Sequence, residues 1–367
     1  IFTILLFWNH ESMSRGAMTV YVYIMYFIWC FAYTCINIPH TALVAAMSQD
    51  GQERASIAGW KLTFTNIGMT FGGSCTIPIV NKMAAASGGS ATMGWIKTVA
   101  IFMVFSVIFS LICYKVCTEV VEPKDDQDKM PILKGVGLAF KNKQFVLILI
   151  SAFILAVLNL GRATAQTYMF MYVVGDLSAM SAFALVTGAA GVCGSFMLPV
   201  WSNKLKSKGK TIAYGSFLGA VGLIIMYLCR SSTNAGFWIG TFIAYYSFYL
   251  ALAASLAACP DCAEAALLET GVRQEGLYSA YWSFCHKAGI ALGSASVGWM
   301  LAGTGYVAGQ EVQPPAVITG INVIFYIVPI ILSIVIGFVM LRYKIDYDEY
   351  DRIVAEQKKR GLIKEEA

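Results

Sequence analysis

Gln144–Val174 reads QFVLILISAFILAVLNLGRATAQTYMFMYVV, and Arg162 is its one charged residue. A helix crosses the hydrocarbon of a bilayer in about 20 mainly apolar residues, so this stretch is long enough to span. Comparable runs lie at 18–47, 56–81, 92–114, 177–201, 212–229, 235–258, 276–301 and 316–341. Lipid offers backbone N–H and C=O groups no partner, so such segments must close their hydrogen bonds internally. The expected fold is an all-α polytopic membrane protein with nine complete spans.

The connections sort by charge. One alternate set (48–55, 115–143, 202–211, 259–275 and 342–367) carries 19 Lys and Arg, and the other (9–17, 82–97, 175–176, 230–234 and 302–315) carries 4. Positive residues stay on the cytoplasmic side, which places 342–367 in the cytoplasm. The three remaining cations, Lys61, Arg162 and Lys287, fall within or at the edge of apolar runs.

A chain that is 58% hydrophobic and 13% charged, with mean hydropathy +0.66, lies outside the range of soluble domains. Its net charge of +5 sits mostly in the connections and reflects topology, so it does not point to nucleic acid. Cys30, Cys35, Cys75, Cys193 and Cys285 lie inside spans, where cysteine acts as a small apolar residue. Cys259-Pro260-Asp261-Cys262 lacks a second pair or a metal-spaced histidine and reads as a helix end at a turn. No nucleophile–base pair, metal-ligand cluster or phosphate loop is legible. An enzyme, a metal protein and an ATP-driven pump are all disfavoured on that ground.

Glu119–Lys143 is the longest polar stretch between spans, and Pro123 and Pro131 interrupt it. Ile132–Phe140 could form a short surface helix. Six spans follow this linker, and three precede it. Ile1–Trp8 is too short to span, begins in mid-run and has no initiating Met, so it reads as the end of a further helix. Two six-helix halves joined by a central loop have this arrangement if two helices and most of a third are missing in front. The expected organisation is 1–114 as the remainder of an N-terminal half and 115–143 as the central cytoplasmic linker. Residues 144–341 then form the C-terminal half and 342–367 the cytoplasmic tail.

Polar residues inside the spans form stripes. Thr34, Asn37 and Thr41 fall at i, i+3 and i+7, as do Asn159, Arg162 and Gln166. Such groups face the bundle interior or a wet cavity, because lipid cannot satisfy them. About a dozen residues separate Arg162 from Asp176 at the outer interface, which puts the guanidinium well inside the membrane. A planar fork of donors suits a carboxylate or a vicinal diol; a structural pair with an acid on one of the missing helices is the other reading. Ser283, Lys287 and Ser294 share one face, with Gly289 and Gly293 permitting close helix approach. His286 turns towards Trp282 and away from Lys287.

Three groups of residues carry a family resemblance. The first is Asn37-Ile38-Pro39-His40 with Thr41-Ala42-Leu43 and the loop Asp50-Gly51-Gln52-Glu53-Arg54. The second begins at Asp261-x-x-Glu264 and Gly271-x-Arg273-x-Glu275-Gly276, and runs on through Lys287 and Gly293 to Gly298-Trp299. The third is Tyr172-x-x-Gly175-Asp176. Together they resemble the glycoside–pentoside–hexuronide:cation symporters, the major-facilitator branch that includes melibiose permease.

The resemblance implies a two-half helical bundle and a midplane sugar site between the halves. It implies substrate contacts from Asn37 and Lys61, and cation coupling through Asn37 and Lys287; the polar stripes add Thr41, Asn159, Arg162 and Gln166 as candidate substrate contacts, and Trp282 offers a ring that could stack on a pyranose face. A family Asp stands where this chain has Asn37, and a family Arg where it has Lys61. Asp50, Glu53, Arg54, Asp261, Glu264, Arg273 and Glu275 would form a cytoplasmic gate. The expected function is symport of a sugar or glycoside, a uronic acid or glucuronide among them, with Na+ or H+. A multidrug efflux antiporter and a non-transporting sugar-sensing receptor are the alternatives. Beyond the coupling cation no cofactor is expected. The partners are a small sugar, a monovalent cation and membrane lipid, with no nucleic acid, and the protein is expected to be a monomer. The expected location is the bacterial inner membrane.

Overall fold

The computed structural model describes residues 2–8, 13–47, 51–117, 137, 140–177, 179–230, 233–271, 275–310 and 312–360. Every regular element among them is helical. Contacts divide the chain into two compact units, Ile1–Asp125 and Asp126–Ala367.

The first unit holds α1 (Phe2–Leu6), α2 (Arg15–Ala46), α3 (Gly51–Ala85) and α4 (Ala91–Val116). Ser14 and Ser90 cap α2 and α4, each hydroxyl accepting from a backbone N–H three residues on. The short α1 is tied to α2 by Tyr21 Oη, which donates to the Leu5 carbonyl at 2.7 Å, and by Trp29 Nε1, which donates to Thr3 Oγ1 at 3.1 Å. Gly94 lets α4 approach α3 closely: a Cβ there would lie 2.7 Å from the Val80 carbonyl oxygen.

The second unit holds α5 (Lys143–Met169), α6 (Ala179–Phe196), α7 (Leu198–Leu205), α8 (Lys208–Leu228) and α9 (Ala235–Thr270). It continues with α10 (Glu275–Thr304), α11 (Pro315–Asn322), α12 (Val328–Met340) and α13 (Tyr347–Lys359). Two π-helical turns interrupt it, Phe170–Val174 after α5 and Val323–Ile327 between α11 and α12. The second has a local cause. Pro329 carries no N–H, so the Phe325 carbonyl four residues back loses its helical donor and the turn widens. The first ends at Gly175, whose φ of +75° favours glycine, and the Asp176 N–H closes the turn on the Phe170 carbonyl.

Seven helices among the described residues are long and apolar enough to cross a membrane: Gly16–Asn37, Ala91–Val116, Lys143–Val174, Ala179–Phe196, Lys208–Leu228, Ala235–Thr270 and Pro315–Met340. The runs expected to span at 56–81 and 276–301 are helical as α3 and α10, but they are too polar to join that count. Lys61 and Asn66 interrupt one, and His286 and Lys287 the other.

One expectation is corrected. The helix does not end at Cys259-Pro260-Asp261-Cys262; α9 continues through Pro260 to Thr270 and ends at Gly271, at φ +70°. The Lys208 ammonium steadies the disturbed turn by donating to the Ala257 carbonyl at 3.1 Å and to Asp261 Oδ1 at 2.8 Å. The described part of the tail, 342–360, carries a helix of its own. Asp346 caps α13, Ile353 and Gln357 are buried, and Gln357 Nε2 donates to the Glu264 carbonyl at 2.8 Å. The short helix expected at 132–140 lies almost wholly outside the described residues.

The α5–α10 seam is built on glycine, as the sequence suggested. A Cβ on Gly293 would sit 2.6 Å from the Val157 carbonyl oxygen, and one on Gly289 would overlap the Phe153 carbonyl. Gly289→Val should therefore cost about 1–3 kcal/mol or more through overpacking. Gly298→Ala, on the open side of the same helix with nothing within 4 Å, should cost far less. Unfolding midpoints of the two purified variants check this, and equal midpoints would contradict the seam.

Candidate substrate pathway

Arg162 shows how the fold treats a charge it cannot leave in lipid. It lies fourteen residues before Asp176, about 21 Å along a helix. At such depth a lone guanidinium costs at least about 2.5–3.5 kcal/mol. The side chain turns inward and is only 5% exposed. Its guanidinium carbon sits 4.4 Å from the Tyr245 ring centre and 5.2 Å from that of Phe325, both faces that attract a cation. Phe325 stands in the π turn that Pro329 induces, so the distortion of one helix serves the burial of a charge on another. Nη2 reaches the Met226 sulfur at 3.9 Å, a weak acceptor, and Nε has no hydrogen-bond partner among the described residues.

Beside the guanidinium is a cavity of about 20 Å³, lined by α5, α8, α9 and α12. Asn159, Ser216, Ser247 and Ser333 supply its polar groups. The stripe read from the sequence therefore divides. Asn159 and Arg162 line this cavity, while Gln166, half-buried, does not. The cavity is of water size, and Arg162 reaches it from one wall.

Trp282 is likewise drawn inside. Its indole N–H donates to Ser255 Oγ at 3.1 Å, Ser255 pairs with Ser151 at 3.1 Å, and His286 stacks on the ring at 5.0 Å. With its edge bonded and one face occupied, Trp282 packs as core. The stacking of His286 follows the sequence expectation.

Lys287 differs from its expected burial. It is exposed, on the side of α10 that carries Phe284, Ala291 and Ala295, and has no hydrogen bond or ion pair among the described residues. Thr164 and Thr167 of α5 are exposed as well. Sequence reasoning passed over both threonines, which flank Gln166 on the exposed side of the helix. In the first unit Asn37 and Lys61 are half-buried, and Thr34 Oγ1 donates to its own helix at the Cys30 carbonyl, 2.8 Å. The Thr41 side chain lies outside the described residues.

Of the expected gate, Asp261 is bound within its own unit. Lys208 Nζ lies 2.8 Å from its Oδ2 as well as from Oδ1. Glu264 Oε2 accepts from Gln357 Nε2 at 3.1 Å. Asp50, Arg273 and the side chains of Glu53, Arg54 and Glu275 lie outside the described residues. Cys259 and Cys262 are free thiols, and no group of metal-ligating side chains occurs among the described residues.

Residues 1–347 match the family described as MFS/sugar transport protein. The chain belongs to that family. It is therefore a multi-pass membrane transporter and not an enzyme, as the resemblance to the glycoside–pentoside–hexuronide symporters implied. Among its relatives, an isoprimeverose transporter of Lactiplantibacillus pentosus is 26% identical over 94% of this chain and 71% of its own length. A glucuronide carrier protein homolog of Escherichia coli K12 is 25% identical over 100% and 79% respectively. The uncharacterized symporter YnaJ of Bacillus subtilis is 26% identical over 99% and 78%.

Proposed function

We propose that the protein carries a sugar or glycoside across the bacterial inner membrane together with Na+ or H+, by alternating access of two helical halves around a midplane site. The observation that carries this reading is the family match across residues 1–347, joined to relatives named for isoprimeverose and glucuronide transport. In this reading α3 and α10 also span, and their polarity belongs to the pathway. Asn37, Thr41, Lys61 and Gln166 remain the proposed sugar contacts, joined by the exposed Thr164 and Thr167, and Lys287 couples the cation. Residues 115–143 link the halves, and 342–367 faces the cytoplasm.

A preference for acidic sugars rests in this reading on Lys61 and Lys287, which are less enclosed than Arg162. Counterflow in proteoliposomes tests the proposal. Labelled glucuronide should exchange faster than the matching glucoside, and Lys61→Gln should reduce that preference by about 5–30-fold, the loss of one charge-assisted contact of about 1–2 kcal/mol. Equal exchange of both sugars removes the acidic preference. Binding without exchange would favour a sensor, and drug efflux without sugar exchange an antiporter.

A further inference from the structure

We infer that the second unit holds a single monovalent anion, of chloride size, in the cavity beside Arg162. Arg162 is a buried cation whose ring contacts neutralise nothing, and its Nε is unpartnered. The hydroxyls of Ser216 and Ser247 are buried in the same cavity wall and also lack partners. Three residues with unpartnered buried donors thus line one cavity, and buried donors without acceptors are the exception in folded proteins.

The sequence removes the usual remedy. Between Lys143 and Leu341 the carboxylates are Asp176, Asp261, Glu264, Glu269, Glu275 and Glu311, none of them at the level of Arg162 within a span. The one buried acid among them that the structure ion-pairs, Asp261, is committed to Lys208. A counter-charge from this unit's own side chains is absent among the described residues. About 20 Å³ accommodates one water-sized particle. A water would satisfy hydrogen bonds and leave the positive charge uncompensated in a low-dielectric interior, whereas a halide answers both needs. The inference does not depend on the sugar reading, because halide binding is measured without substrate.

The test uses the purified full chain in detergent, without sugar, at fixed sodium concentration and ionic strength, with chloride replaced stepwise by gluconate. The unfolding midpoint should rise saturably with chloride, by about 5 °C at saturation. Arg162→Met should lose the response and, in gluconate, unfold no lower than the wild type, since an apolar isostere relieves an unpaired buried charge. If that variant does not fold, Ser216→Ala with Ser247→Ala should raise the half-saturating chloride concentration at least about tenfold. A midpoint indifferent to chloride, or an undiminished response in either variant, would overturn the inference and leave the cavity to water.

Discussion

Replacing Lys287 with Gln is expected to abolish cation-driven accumulation while leaving sugar exchange nearly intact. The residue lies twelve positions from Glu275, about 18 Å from the end of α10. A lysine side chain cannot snorkel that far to the headgroups. Its ammonium is exposed and unpaired among the described residues, so at membrane depth it needs a partner that comes and goes with the transport cycle. A cation binding at an acid that Lys287 otherwise pairs would displace it, and that competition links the two equilibria. Coupling free energies of about 1–3 kcal/mol correspond to 5–150-fold effects. The concentrative uptake of Lys287→Gln should accordingly fall by about 100-fold, and equilibrium exchange by less than about threefold. Parallel uptake and counterflow measurements in proteoliposomes decide it. Losses of equal size in both would return Lys287 to a structural role.

The second large effect concerns Lys208. Its ammonium binds both oxygens of Asp261 and the Ala257 carbonyl in the turn that Pro260 disturbs, with the Asp261 side chain only 10% exposed. Lys208→Met leaves a buried carboxylate without its counter-charge, a loss of about 3–5 kcal/mol. The double replacement Lys208→Met with Asp261→Leu should recover most of that, since an apolar pair of similar volume often matches a buried ion pair. Unfolding midpoints of the single and double variants measure the difference. A single variant as stable as wild type would mean that water, and not Lys208, satisfies Asp261.

Much of this protein is written in local pattern. Apolar runs of spanning length, punctuated by polar connections, require helices whatever their neighbours, because backbone groups in lipid have no other partner. Gly289 and Gly293 announce a close helix seam, since small residues four apart leave a groove on one face. The stacking of His286 on Trp282 follows from a separation of four residues on a helix. The family, too, could be recognised in the run from Gly271 to Gly293.

What the tertiary structure decided is the direction in which polar side chains point and what they meet. Arg162 lies on a stripe with Asn159 and Gln166, and periodicity alone assigned all three to one pathway. Packing of α5 against α8, α9 and α12 turned Arg162 inward, where it meets Tyr245 and Phe325 and lines a small cavity together with Ser216 and Ser247. No local signal joins those residues, because they lie on helices far apart in sequence. The sequence around Asp261 gives no sign of its partner; Lys208, at the start of another helix, is brought against it only by the packing. Periodicity names the face of a helix, but only the neighbouring helices determine whether that face meets sugar, lipid or core.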